Sequence, residues 1–196
     1  LSVSALSHTM LPGIALGILV TGLRQGAVDV RCLGEGRPFV AELKSPLRRT
    51  LDLEKLTKSI NKAAKDKIEI HGLRLSNRAE VSRIKETKAE KSYTICFTSN
   101  HKLSEDEVST RIQSLSGQVL EQQTPQRVAH RRADKVRQRK VVSIENILIT
   151  DDEIQFDVRC ESGTYVKELV HSDEGRTTPS VAALLEADCE VIWLDV

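Results

Sequence analysis

The sequence predicts an α+β fold, a mixed and mainly antiparallel sheet flanked by helices. Three observations carry that expectation. Ile154, Phe156 and Val158 alternate with polar neighbours up to Cys160, the period of a strand with one buried face. Leu53, Leu56, Ile60 and Ala63 recur at spacings of three and four, the period of a helix with one apolar stripe. Asp151 and Asp152 sit between two apolar segments, residues 141–149 and 154–160, where a hairpin turn is expected.

The remaining elements follow in chain order. Residues 28–31 read as the end of a short strand, and the glycines and proline of 33–38 as a turn. Residues 39–43 are expected to be a strand ended by Pro46. The helix over 51–66 would be capped by Thr50, with Glu54 near its first turn. Residues 68–75 alternate and predict a strand, and a charged stretch, 83–91, follows. Residues 93–98, YTICFT, are β-branched and aromatic and predict another strand. Ser104 with Glu107 forms a capping-box pattern at the head of a helix over 104–115, which Gly117 would close. Residues 164–170 fit either a strand or the start of a helix. Ser180 would cap a short helix over 181–187, and residues 191–196 would form the last strand.

Composition narrows the class. The chain has 39% hydrophobic and 29% charged residues, which suits a globular protein and not a disordered one. Only 3% are aromatic, so the core must rest on aliphatic side chains. Residues 10–20, MLPGIALGILV, are apolar but shorter than the roughly 20 residues of a bilayer span, and no basic leader precedes them. A buried segment is expected there, and no membrane partner. Cys32, Cys96, Cys160 and Cys189 form no C-x-x-C pair. Buried free thiols in a reducing, intracellular compartment (nucleus, cytoplasm or both) are expected, and no metal site.

The net charge of +1 conceals an asymmetry. Residues 127–140, RVAHRRADKVRQRK, hold seven Arg or Lys and one acid, Asp134. Arg127, His130, Arg131, Arg132, Lys135, Arg137, Arg139 and Lys140 would together form a positive surface for a polyanion. A second stretch of interest is SGTYVKEL, residues 162–169. It spends one of only two tyrosines beside a lysine and just after a glycine. Taken alone, a solvated strand lysine is the better explanation, because exposed lysines are the commonest kind.

Several segments together favour function. SGTYVKEL resembles the Gly-Thr-Tyr-Ile-Arg/Lys motif of pseudouridine synthases, and Lys91-Ser92-Tyr93 is similar to their Lys-x-Tyr strand motif. VDVRCLGEGRPFVAEL, TPQRVAHRRADKVRQRKV, SGTYVKELVHSDEGRTTPSVAALL and the closing WLDV resemble, in order, the C-terminal catalytic part of the Pus-ten family of archaeal and eukaryotic tRNA pseudouridine synthases. The resemblance covers residues 28–196, so those residues are expected to be a partial catalytic domain of the pseudouridine-synthase core type. Residues 1–27 match nothing in the family pattern, as a foreign or mis-joined segment would.

The resemblance implies isomerisation of uridine in the TΨC arm of tRNA, without any cofactor. An N-glycosidic bond is broken, the base is turned, and it is rejoined through carbon. A carboxylate must act at the ribose, as nucleophile or base, and a nearby cation would keep it ionised. Lys167 takes the place of that cation. Tyr93 would stack on the flipped base. Tyr165, Val166 and Leu194 would line the base pocket, and Arg176 would contact phosphate or brace the site.

The aspartate motif departs from the family pattern, Gly-Arg-Glu-Asp-Val-Asp-Val-Arg. Here residues 24–31 read RQGAVDVR, with Ala27 in place of the first aspartate. Asp29 is the carboxylate that this motif retains, and it takes the catalytic assignment on that ground. Two rival readings stand beside the enzyme: an inactive RNA-binding remnant of the family, and a protein-interaction module with a basic face.

Overall fold

The computed structural model describes residues 15–22, 36, 38–47, 50–64, 68–86, 88–100, 102–150 and 153–196; for 15–22, 44, 45 and 85 it describes the backbone only. The expected strand end at 28–31, most of the turn at 33–38, and Asp29, Ala27 and Cys32 lie outside these residues. The chain divides into two compact units.

The first unit holds β1 (Ala15–Gly22), β2 (Phe39–Pro46), α1 (Leu53–Ala63) and α2 (Arg78–Glu86). β1 and β2 pair antiparallel, with Leu19 opposite Glu42. The apolar run at 10–20 is thus in part a strand. Asp52, not Thr50, caps α1: its carboxylate accepts from the Lys55 amide at 3.0 Å. Residues 68–75 form no strand. Asn61 on α1 donates to the Ile70 carbonyl at 3.0 Å and accepts from the Ile70 amide at 2.8 Å. One side-chain amide therefore supplies the two bonds that a neighbouring strand would have made. The charged stretch conceals α2, whose head is organised by Glu80. That carboxylate accepts two bonds from Arg74 and one from Ser76, which hold it down to about 2.

The second unit is a six-stranded sheet with helices on one face. Its strands are β3 (Lys91–Ser99), β4 (Val119–Gln123), β5 (Val136–Ile149), β6 (Ile154–Cys160), β7 (Thr177–Thr178) and β8 (Cys189–Asp195). Its helices are α3 (Glu105–Gln113), α4 (Gln126–Ala129), α5 (Val166–His171) and α6 (Val181–Leu185). The strand order is β7-β4-β5-β6-β3-β8, and every pairing is antiparallel. The α+β expectation therefore holds.

Local chemistry explains the well-anticipated elements. Ser104 and Glu107 form the capping box of α3 in both directions, and Ser180 caps α6. β5 and β6 meet as a hairpin, with Ile149 opposite Ile154, although its turn at 151–152 lies outside the described residues. Residues facing each other across a ladder share a face. Ile95, Phe97, Phe156, Val158, Ile144 and Leu194 all lie at or below 6% exposure and make the apolar side of the sheet. The Phe97 and Phe156 rings meet edge to face at 6.0 Å. α3 contributes Val108 and Ile112 to this core, and α5 contributes Leu169 and Val170. Cys96, Cys160 and Cys189 are buried and free. Burial pushes the Cys160 thiol up to about 12 and Cys96 to about 11, the latter helped by the Glu153 carboxylate. Among the described residues no helix is long and apolar enough to cross a membrane, and no cluster of His, Cys, Asp or Glu could hold a metal ion.

Candidate functional site

SGTYVKEL is a loop followed by a helix, and its lysine stands on the helix. β6 ends at Cys160, and the chain turns through Gly163 at φ +88°, a left-handed conformation that L side chains rarely adopt. A Cβ at Gly163 would also come within 3.3 Å of Arg139 Nε. The positive φ favours glycine here, and a Cβ would oblige the Arg139 side chain to give by a few tenths of an ångström. Thr164 then closes the turn by donating to the Glu161 carbonyl at 2.8 Å. Tyr165 precedes α5, and Lys167 is the second residue of that helix, half-buried.

α5 packs against β8 on the helix-covered face of the sheet. Val166 and Leu194 are buried at 4% and 6% exposure, as members of an apolar wall must be. Tyr93 lies opposite Val158 in the ladder, so alternation puts its ring on the same face as Ile95 and Leu194. Lys91, opposite Cys160, lies one step further along that face. Both residues of the strand motif thus lie on the buried face of the sheet.

Tyr165 is engaged on all sides. The Arg127 guanidinium stands 5.9 Å from its ring centroid and the Arg132 guanidinium 6.0 Å. Arg132 also donates to its hydroxyl at 3.1 Å. Its peptide is bonded by Gln122, a side chain with 0% exposure.

The basic run does not form one surface. It passes through α4, a loop and the first half of β5, and its cations fall into three groups. His130, Arg131, Arg132 and Lys135 are exposed. Arg137 and Arg139 pair with Gln122 and Leu120 of β4, two fully buried residues, and so face inward with them. Arg137 donates to the Thr124 hydroxyl at 2.8 Å, and Arg139 lies over Gly163 with its Nε buried and unbonded. Lys140, opposite the exposed Val119, faces outward.

Arg127 and Arg176 are braces. Arg127 makes two bonds to the Glu168 carboxylate, which is 1% exposed. Arg176 donates twice to the Thr124 carbonyl, at 2.8 and 3.1 Å, and pairs with Asp134 and Asp173. Removing Arg127 should strand the buried Glu168 charge. Arg127→Ala is therefore expected to cost about 3 kcal/mol, near the low end for a broken buried pair because the guanidinium is partly exposed. Urea denaturation should show it as a lower midpoint at an unchanged slope.

A cavity of about 450 Å³ lies mainly on the opposite face of the sheet. Ser92, Thr94, Ser143, Glu145, Asp157 and Arg159 line it, and it also touches Tyr93. Its acidic and hydroxyl lining does not suit a polyanion, so we take the apolar face, which carries Lys91 and Tyr93, as the candidate site. Sequence reasoning missed Gln122 and Glu168. Gln122 stands at an inward position of β4, the alternate place to Leu120, and that spacing was the available signal.

The family described as Pus10, C-terminal matches residues 18–196. The tRNA pseudouridine synthase Pus10 of Methanothrix thermoacetophila is 44% identical over 169 residues, 86% of this chain and 37% of that protein. That of Methanopyrus kandleri is 39% identical over 171 residues, 86% of this chain and 39% of that protein. The chain thus spans about two fifths of the length of these curated relatives. It also aligns with a chain of a Cbf5-Nop10-Gar1 complex, at 24% identity and a TM-score of 0.45, over 55% of this chain and 30% of that one.

Proposed function

Since the chain belongs to the Pus10 C-terminal family, we propose that it is a catalytic portion of a tRNA pseudouridine synthase, isomerising uridine of the TΨC arm. The observation that supports this reading is that Tyr93 lies on the face of the sheet that holds the buried Leu194, and that the helix carrying Lys167 and the buried Val166 packs against the strand of Leu194. In it, Lys167 keeps the catalytic carboxylate ionised, and Tyr93 stacks on the uracil turned out of the RNA. Asp29 is the carboxylate retained in the motif. Tyr165, with its ring held by arginines, shapes the pocket rather than stacking on the base. Arg137 and Arg139 extend the inward face with positive charge, and Arg131, Arg132 and Lys135 hold the phosphate backbone from the exposed loop.

Salt-dependent binding tests the RNA-binding part of the proposal. Changing Arg131, Arg132 and Lys135 together to Ala should weaken tRNA binding. It should flatten the log K against log salt slope by roughly 0.7–0.9 for each lost phosphate contact. Lys140→Ala, on the outward face, should leave the slope unchanged. Equal effects from the two changes would remove the exposed loop from the RNA interface. Release of label from uridine-labelled tRNA tests the catalytic part and separates an enzyme from an inactive RNA-binding remnant.

A further inference from the structure

We infer that Gln122 is a positioning residue that sets the start of α5, and through it the placement of Lys167; this rests on the reading of Lys167 proposed above. Gln122 Nε2 donates to the Tyr165 carbonyl at 3.0 Å, and Gln122 Oε1 accepts from the Tyr165 amide at 2.9 Å. The same Nε2 lies 3.3 Å from the Thr177 hydroxyl, itself 2% exposed. Every polar atom of this fully buried amide is therefore engaged, and two of its bonds go to the amide and the carbonyl of one residue, in the two peptide units that flank it.

The location of those bonds gives them their consequence. Tyr165 is the residue before α5, in extended conformation at φ −92° and ψ 93°, and no side chain of its own segment caps the helix. A six-residue helix has little intrinsic stability to fix where it begins. Upstream, Gly163 offers a flexible joint. The register of Val166 and Lys167 against the sheet is thus held from outside, by β4. Arg127, five residues on from Gln122, grips α5 a second time at Glu168. Residues 122–127 straddle Lys167, with one hold at residue 165 and one at residue 168.

A buried amide costs desolvation that an apolar side chain would avoid. Leu120, two residues earlier on the same face, shows that this strand accepts an apolar core residue. What glutamine adds at residue 122 is a fixed orientation for the two peptides that flank Tyr165. Misplacing a reacting group by about 1 Å can cost a hundredfold in rate, and the bonds from Gln122 hold the helix start against such a shift.

Gln122→Met keeps the volume and loses both bonds to Tyr165. Val108→Ala, in α3, serves as a control that lowers stability without touching α5. Amide exchange of residues 163–169 is followed by mass spectrometry in the 196-residue chain. Turnover is followed in the same chain carrying Ala27→Asp. Gln122→Met should speed exchange at 165–167 well beyond the control. It should also lower kcat on the order of a hundredfold per folded molecule, with KM for tRNA within about twofold. Exchange no faster than in the control would overturn the clamp. Fast exchange with kcat unchanged would overturn its role in positioning Lys167. If no background chain forms pseudouridine, the catalytic reading of the site fails, and the exchange arm still decides whether Gln122 sets the start of α5.

Discussion

Ala27→Asp should turn a silent or very slow chain into an active synthase. Residue 27 takes the place of the first aspartate of the family motif, and alanine there has no group that can act at the ribose. Asp29 follows two positions later in the sequence, and two residues of extended chain would span about 6–7 Å. That is too far for the same reaction without a change of register. Pseudouridine formation should therefore be absent or barely measurable in the parent and raised by orders of magnitude in Ala27→Asp. Asp29→Asn in the parent should change little. The reverse result, a parent activity that disappears in Asp29→Asn, would make Asp29 the catalytic residue.

Lys167→Ala should then abolish most of the turnover of the Ala27→Asp chain, by about a hundredfold or more, while tRNA affinity stays within a few-fold. In the proposed mechanism the charge works on the carboxylate and not on the RNA backbone, so the loss is expected in kcat. Lys167→Arg keeps the charge and should keep a substantial part of the rate. Lys167 is half-buried at the head of α5, with Val166 and Glu168 buried on either side of it, so truncating it should disturb packing little. Turnover by Lys167→Ala at the background rate would remove Lys167 from the site.

Where a local signal decides the structure, the sequence was legible. The capping box at Ser104, the cap at Ser180 and the alternation in β6 all became what their patterns predict. Elements settled by a distant partner were not legible. The segment at 68–75 alternates like a strand but bonds to the Asn61 side chain. β4 carries Gln122 at a buried position that no expectation covered, and its partner Tyr165 lies 43 residues away. The basic run concealed the first half of β5 because arginine at alternate positions resembles a solvated coil. In the candidate site, the motifs identified Tyr93 and Lys167, whereas the buried Glu168 that holds Arg127 follows from tertiary packing alone.

β5 carries one more consequence, for how the chain avoids folding wrongly. A strand's register is normally enforced because a slip by one residue would drive apolar side chains into water. The first half of β5 lacks that safeguard: Arg137 and Arg139 face inward, Gln138 and Lys140 face outward, and a slip would exchange one polar set for another. Alignment must come from its boundary. Val141 is fully buried, its amide donates to the Gln118 carbonyl at 2.9 Å, and its carbonyl accepts from the Gly117 amide at 2.9 Å. Gly117 reaches that bond with φ +80°, a conformation that suits glycine. Errors in this protein's assembly should therefore originate at residues 117–118, with an offset there carried along the ladder to Arg137.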